Sequence, residues 1–256
     1  MSNWIYPALS LAVVVIAWHF SVVLFAIPEY LLPTPESVLT RLIEDFGFLL
    51  QHAGVTFYET MGGFLLSIAI GIPLAVALVW SPVLEKAIMP LLIVSQTFPK
   101  IAIAPLIIIW FGLGVFPKLL ISFLVAFFPV LISAVAGMRS VDTDMIDLAR
   151  SMQATPLRLF WKIRMPFALP HIFSGLKVAV AFAIVGAVVG EWVGANSGLG
   201  YLLLWANANL DTTLLFSILI LLMVIGIALY YSVVFVERLL IPWHVSVREE
   251  TPQATM

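Results

Sequence analysis

The sequence predicts an all-α membrane protein with six transmembrane helices and a cytoplasmic two-helix loop between helices 4 and 5. Three observations carry this prediction. Hydrophobic residues make up 62% of the 256 residues and charged residues 10%, whereas soluble domains are about half apolar and about a quarter charged. Apolar runs long enough to cross a bilayer, about 20 residues each, recur along the chain. Five of the twelve Lys and Arg residues collect in one polar stretch, 138–170.

The predicted spanning helices correspond to six apolar runs. They occupy residues 7–27, 55–80, 87–110, 116–137, 171–193 and 214–236. The third run contains Pro90, Pro99 and Pro105. Proline frees backbone carbonyls, which a membrane tolerates only where protein or a water-filled cavity satisfies them. We therefore expect the third run to be broken. The fifth run is rich in Gly and Ala and is expected to pack closely against other helices.

Polar residues inside the third run are candidates for lining a path through the membrane. Gln96 and Lys100 lie within it, and a lysine there is costly unless it is paired or hydrated. The alternative is that Lys100 reaches a lipid headgroup or caps a helix. His19, inside the first run, is expected to be hydrogen-bonded by a neighbouring helix.

The segment between the first two runs predicts a short amphipathic helix at the membrane interface. Thr34 stands at its start, Pro35 follows at the first helical position, and apolar residues then recur at helical spacing. We expect residues 1–52 to form the first spanning helix with this interfacial helix, and 53–243 to form the main transmembrane domain. Residues 244–256 are expected to be a cytoplasmic tail.

The basic residues predict the orientation of the chain. With both termini in the cytoplasm, only Arg41 and Lys118 face outside, which satisfies the positive-inside rule. The basic residues that then face the cytoplasm are Lys86, Arg139, Arg150, Arg158, Lys162, Arg164, Arg238 and Arg248.

The charged stretch 138–170 predicts two short helices joined by a turn. Asp142 or Thr143 can cap the first helix, and Thr155 can cap the second, with Pro156 at its first position. Such short helices are too small to form a core, so an apolar stripe on them needs a partner. The partner is the rest of the same chain, the lipid surface, or a groove on a separate soluble subunit. The stripe on the first helix consists of Met145, Leu148, Ala149 and Met152.

This stretch resembles the cytoplasmic loop of permease subunits of ATP-binding-cassette importers. Residues 147–149 (Asp-Leu-Ala) stand where that family has Glu-Ala-Ala, and residues 163–166 (Ile-Arg-Met-Pro) nearly match its Ile-x-x-Leu-Pro ending. Gln153 stands at the position of a family glycine, so the turn there must adopt a non-glycine conformation or shift. Residues 98–112 and 190–201 are similar to the nitrate, sulfonate and taurine branch of these permeases.

The resemblance implies a multi-pass permease subunit of a type I importer in the bacterial inner membrane. The implied partners are the lipid bilayer, ATP-binding-cassette ATPase subunits, a second and identical permease copy, and an extracytoplasmic solute-binding protein. Gln96, Lys100 and Glu191 become candidates for the translocation path, although Glu191 can instead pair with a cation or cap a turn. The residues implied to dock the ATPase through this coupling loop are Asp144, Met145, Asp147, Leu148, Ala149, Met152, Gln153 and Phe160.

Other function classes are disfavoured. The chain has no cysteine and no G-x-x-x-x-G-K-[ST] sequence, and its four histidines have no metal-ligand spacing. No catalytic residue, metal site, bound cofactor or nucleic-acid partner is therefore expected, and ATP with magnesium would bind to the partner ATPase. An ion-coupled secondary transporter is the alternative, but the runs contain only Glu59 and Glu191 as acids, both near their ends.

The sequence says less about the substrate. Residues 190–201 and 210–214 also resemble permeases linked to pyrimidine precursors of thiamine or to riboflavin. We therefore expect one of these heterocycles as the substrate, and otherwise a sulfonate-like or nitrate-like anion.

Overall fold

The computed structural model describes residues 5–242, and every regular element in that range is helical, as predicted. The predicted tail, 244–256, lies outside the described residues. The helices are α1 (Ile5–Leu24), α2 (Pro35–Glu44), α3 (Phe46–Trp80), α4 (Pro82–Thr97), α5 (Ala104–Phe111), α6 (Val115–Arg139), α7 (Thr143–Ser151), α8 (Pro156–Leu159), α9 (Met165–Gly194), α10 (Leu199–Ala208) and α11 (Thr212–Leu240).

Four helical segments are long and apolar enough to cross a membrane. They are α3, α6, α11 and a continuous 39-residue helix, Pro156–Gly194, in which α8 joins α9 through a π-helical turn at Phe160–Arg164. The bent pair formed by α4 and the segment Lys100–Phe111 adds a fifth if it is counted as one span. Within residues 5–242, length and composition therefore give four or five spans, and the predicted six is not reached on this criterion.

The predicted break in the third apolar run is confirmed. Helix α4 ends at Thr97, and Phe98 is extended, with ψ 130°. The residue before a proline is pushed out of the helical region, and Pro99 itself has no N–H to continue the helix. A 3₁₀ turn, Lys100–Ile103, follows and leads into α5. The axis bends by 84° at this point, so side chains around the bend leave the regular helix surface.

The short helix α2 also begins as predicted. The side chain of Thr34 caps α2 by accepting a hydrogen bond from the Ser37 N–H, 3.2 Å away. Nδ1 of His19 lies 2.9 Å from Oε1 of Glu36 on α2, so a neighbouring helix does satisfy this histidine. Val38 on the other side of α2 is buried.

The centre of the molecule is formed by α3, α6 and α9. Small residues of α9 let these helices approach closely, as the Gly and Ala content of the fifth run predicted. Gly175 lies against Ser133 of α6, and Gly186 lies against the backbone of Ser122. The Ser122 hydroxyl donates to the Ala183 carbonyl at 2.8 Å. Lys177, on the same helix, pairs with Glu237 of α11 at 2.5 Å.

Two elements differ from the sequence prediction. Helix α3 begins at Phe46 rather than at residue 55, so the expected division between 52 and 53 falls inside it. Helix α10 lies in the polar, glycine-rich segment that follows the fifth run, where no helix was predicted. Its N-cap residue is Gly198, which has no side chain to signal a helix start in the sequence. Around α10 a second apolar cluster forms, separate from the main core.

Candidate functional site

The structure brings two of the predicted path residues, Gln96 and Lys100, into one open groove of about 380 Å³. The Lys100 ammonium donates to the Gln96 carbonyl at 3.4 Å and lies 4.4 Å from the centre of the Phe128 ring. The other lining residues come from α6 and α9 and are mostly apolar: Val125, Pro129, Ile132, Ser133, Val178 and Phe182.

This groove offers a specific set of interactions to a solute. Its polar groups are one amide, one hydroxyl and one ammonium, and none of its lining residues carries a carboxylate. An ammonium over an aromatic face and an adjacent amide suit a neutral or anionic molecule with hydrogen-bond acceptors and an apolar or planar body. The bend before Lys100 is what places these side chains at the groove.

The structure places Glu191, the third predicted path residue, away from this groove. It lies near the end of α9 and is 1% exposed. Its carboxylate accepts one hydrogen bond from the Thr56 hydroxyl at 2.7 Å and another from the Gly200 N–H at 2.5 Å. Because Gly200 belongs to the first turn of α10, Glu191 caps that helix, which is one of the alternatives the sequence left open.

Beside Glu191 lies an ion pair that the sequence analysis missed. The Lys118 ammonium of α6 is 2.5 Å from Oε1 of Glu59 on α3, and both residues are almost completely buried. The other carboxylate oxygen of Glu59 has no hydrogen-bond partner among the described residues. A signal was present in the sequence, because both residues lie within a few positions of the outer ends of their apolar runs, at the same predicted depth.

Side chains around Glu191 also hold the start of α10 in place. Three consecutive backbone N–H groups there donate to side chains of other helices: Gly198 to Nδ1 of His52 at 3.0 Å, Leu199 to the Thr56 hydroxyl at 2.8 Å, and Gly200 to Glu191. Gly198 has a φ of +113°, and a Cβ on it would collide with the Glu191 carboxylate. We call Thr56, Glu59, Lys118 and Glu191 the buried cluster.

The loop that contains α7 has the two capped helix starts that the sequence predicted. The Asp142 side chain accepts from the Asp144 N–H at 3.0 Å at the start of α7, and Thr155 accepts from the Arg158 N–H at 3.4 Å at the start of α8. Pro156 occupies the first position of α8.

The second predicted short helix is not a separate helix, and this corrects the expected loop. After Leu159 the chain continues through the π turn directly into α9. Pro166 and Pro170 do not turn the chain, since both are accommodated inside the continuous helix, Pro166 just after the π turn. The predicted docking segment therefore continues directly into α9, which lines the groove.

The eight residues predicted to dock an ATPase fall into two groups. Ala149 and Phe160 are buried against the chain itself, and the Phe160 ring packs 5.6 Å from that of Trp80. These two residues anchor the segment. The remaining residues are exposed on its surface: Asp144, Met145, Asp147, Leu148, Met152 and Gln153.

Gln153, at the position of the family glycine, adopts the left-handed conformation that glycine favours, with a φ of +59°. The Gln153 N–H donates to the Arg150 carbonyl at 2.9 Å, and the Ala154 N–H donates to the Ala149 carbonyl at 3.0 Å. This pair of bonds is a Schellman motif, which ends α7. The turn has not shifted, so the glutamine carries the conformational strain of the site.

Together these features define a class: a helical membrane protein with several spanning segments, an open and mostly apolar groove between its helices, and a loop, α7–α8, that exposes an apolar face. The fold matches a chain from the structure of the MetNI methionine ABC transporter in an inward-facing conformation. The TM-score is 0.63 and the sequence identity 19%, and the match covers 74% of this chain and 94% of that chain. At this identity the match establishes the fold alone.

Residues 67–243 match the family described as binding-protein-dependent transport system inner membrane component, and the chain belongs to that family. It is 40% identical to an ABC transporter permease protein of Haemophilus influenzae, over 89% of this chain and 93% of the relative. It is 34% identical to the formylaminopyrimidine transport permease protein ThiX of Halalkalibacterium halodurans (93% and 95% covered). The identity is 38% to the riboflavin transport system permease protein RibX of Chloroflexus aurantiacus (94% and 92% covered).

Permeases named for aliphatic sulfonates and for taurine are further relatives, at 31% and 30% identity. The assignment to ABC transporter permeases of the nitrate, sulfonate and taurine branch is thereby confirmed. The chain is a transport component in a membrane.

Proposed function

We propose that the chain is the permease subunit of an ATP-driven importer for a small organic solute, and that a separate ATPase chain hydrolyses the ATP. The unpartnered apolar face of α7 is the observation that carries this proposal. Met145, Leu148 and Met152 are 40%, 63% and 76% exposed on one side of this short helix. A protein groove suits them better than the lipid surface, because Asp144 and Asp147 on the same helix are repelled by an anionic leaflet.

The continuous helix Pro156–Gly194 would couple movement of the ATPase to movement of the groove. A partner that moves α7 also moves α8, since the Schellman turn between them is tightly hydrogen-bonded. Helix α8 runs without a break into α9, and Val178 and Phe182 of α9 line the groove. The distance from Phe160 to Val178 along the helix is about 27 Å at about 1.5 Å per residue. Closure of an ATPase dimer would thus rock one wall of the groove between two states.

The proposed topology has six spans with both termini in the cytoplasm. Helix α1 and the bent α4–α5 pair cross the membrane in addition to the four long segments, and the loop containing α7 lies inside. No residue of α4 is buried within the chain. Its exposed apolar surface, with Leu91, Ile93 and Val94, is where we place an identical second permease. An extracytoplasmic solute-binding protein would approach the opposite end, around Arg41 and Asp211.

For the substrate we propose a thiamine-precursor pyrimidine or riboflavin. The relatives named for formylaminopyrimidine and riboflavin transport are more similar to this chain than those named for sulfonates and taurine. The groove supports a heterocycle, since Phe128 and Phe182 offer aromatic faces while Gln96 and Lys100 offer hydrogen bonds. A sulfonate-like or nitrate-like anion is the second choice, and Lys100 would be its counter-ion.

Copurification with the ATPase subunit tests the docking surface. Leu148→Asp and Met152→Asp each place a charge on the exposed face of α7, and we expect the ATPase to be lost and ATP-dependent uptake to fall to background. Leu31→Asp is the matched control, because Leu31 is 61% exposed but lies in a different segment, between α1 and α2. Normal ATPase retention and uptake in both α7 variants would contradict the proposal.

Uptake assays in the complete importer test the substrate and the rival mechanism. Labelled formylaminopyrimidine, riboflavin and taurine would be compared, and the expected order of uptake is either heterocycle above taurine. An ion-coupled carrier is disfavoured because the two acids it would use, Glu59 and Glu191, are engaged with Lys118 and with α10 instead of facing the groove. Uptake by the chain in vesicles without an ATPase subunit would establish that rival.

A further inference from the structure

The buried cluster has no role in the groove or in the docking segment, yet it places charges where they are expensive. Glu59, Lys118 and Glu191 are at most 5% exposed. Apolar residues of similar volume would often be as stabilising at such positions. The arrangement therefore calls for an explanation beyond the stability of the helix core.

The geometry shows what the cluster holds. Helix α10 lacks a capping side chain of its own, and its first three free N–H groups are taken by His52, Thr56 and Glu191. The first two of these lie more than 140 positions away in the sequence. Hydrogen bonds thus attach the start of α10 to α3, through His52 and Thr56, and to the end of α9, through Glu191. The Thr56 hydroxyl in turn donates to the Glu191 carboxylate.

Lys118 adds the fourth helix. It approaches α9 at Gly190, where a Cβ would lie 3.2 Å from the Lys118 Cα, and it pairs with Glu59 one turn of α3 beyond Thr56. Helix α3 at Thr56 and Glu59, the start of α6, the end of α9 and the start of α10 therefore meet at one point. This point lies at the opposite end of the 39-residue helix from Phe160.

We propose that the buried cluster clamps α10 to α9, so that α10 moves with α9 as one unit when the docking segment is displaced. Thr56 and Glu191 are the positioning residues, and Lys118 with Glu59 holds α6 and α3 in the same unit. This inference rests on the proposed function. The inference goes beyond the proposed function because it adds α10 as a second moving element at the far end of the helix Pro156–Gly194. Helix α10 borders an open groove containing Trp205 and Asn196.

Two measurements on the complete importer test the clamp. The chain has no cysteine, so a spin-label pair can be placed at Val185 of α9 and Asn207 of α10, both exposed. We expect the distance between the labels to be the same in the nucleotide-free importer and in the importer trapped with ATP and vanadate. A change in that distance in the otherwise unmodified chain overturns the clamp without any cluster variant being needed.

The second measurement is the number of solute molecules taken up per ATP hydrolysed. Thr56→Val removes the hydroxyl but keeps the shape, and loss of its hydrogen bonds should lower this ratio by about tenfold while the ATPase remains bound. Thr56→Ser should restore the ratio, which a loss of packing alone would not predict. An unchanged ratio and an unchanged label distance in Thr56→Val overturn the proposal. Failure of the unmodified importer to couple uptake to ATP would instead contradict the proposed function.

Discussion

The α7–α8 loop and the buried cluster each contain a pair of opposite charges, and the two pairs have opposite consequences. Asp147 and Arg150 are 3.3 Å apart, with side chains 69% and 67% exposed. Glu59 and Lys118 are 2.5 Å apart, with side chains 0% and 6% exposed. Water screens the first pair and replaces either partner if it is removed, whereas neither partner of the second pair has a substitute. The same chemistry is thus a surface detail on α7, just before the 39-residue helix Pro156–Gly194, and a structural requirement at the far end of that helix.

Removing Lys118 should show the largest effect. In Lys118→Met the Glu59 carboxylate stays buried without its cation, and breaking a buried pair in this way costs about 3–5 kcal/mol. We expect a marked fall in the melting temperature of the purified importer and in the amount of protein in the membrane. The double variant Lys118→Met with Glu59→Leu should recover most of the loss, since it leaves no buried charge. Equal melting of the single and double variants would show that Lys118 acts only through packing.

Gly198→Ala should have the second-largest effect, because it disturbs the capped start of α10 without removing a charge. Its Cβ would meet the Glu191 carboxylate, and the φ of +113° is unfavourable for alanine. We expect a loss of more than about 2 kcal/mol in the free energy of unfolding, since steric overlap adds to backbone strain. Gly54→Ala is the control, as nothing lies within 4 Å of the corresponding Cβ on α3. Similar melting curves for the two variants would contradict the role of Gly198.

Gln153→Gly tests the backbone conformation of the α7–α8 loop and should stabilise the protein. Relief of the left-handed backbone is worth about 1 kcal/mol, and the greater freedom of glycine in the unfolded chain offsets part of it. We expect a small rise in melting temperature. Leu210→Gly is a parallel case, because Leu210 ends α10 in a second Schellman motif with a φ of +57°. A fall in melting temperature in both variants would mean that the side chains outweigh the strain.

Arg150→Ala should have the smallest effect. An exposed pair of this kind contributes less than about 0.5 kcal/mol, so the melting temperature should be unchanged within error. A loss comparable to that of Lys118→Met would remove the distinction between the two regions.

Sequence patterns captured the long helices and their interruptions because these depend on local residues. The apolar run of α6, the break at Pro99 and the caps at Thr34 and Thr155 all follow from nearby side chains. Helix α10 was missed because its caps, His52 and Thr56, are remote in the chain.

The same limit applies to the functional surfaces. A helical stripe shows which loop residues are apolar, but not that Ala149 and Phe160 are covered by the chain itself while Leu148 is not. Glu191 was recognised as polar and near a membrane edge, but its partners are decided by tertiary packing. The docking residues that remain exposed are still a prediction for the binding experiment to decide.

The π turn at Phe160–Arg164 sets the rotation about the helix axis between the two ends of the helix Pro156–Gly194. Successive residues of an α-helix are turned by about 100°, and a π turn holds one residue more than the α-helical turn it replaces. The turn therefore fixes the direction, around the helix axis, at which α8 precedes the groove face of α9. Wound as a regular α-helix, the same residues would rotate α8 about the helix axis by about 100° relative to Val178 and Phe182 of α9, the angle of one residue.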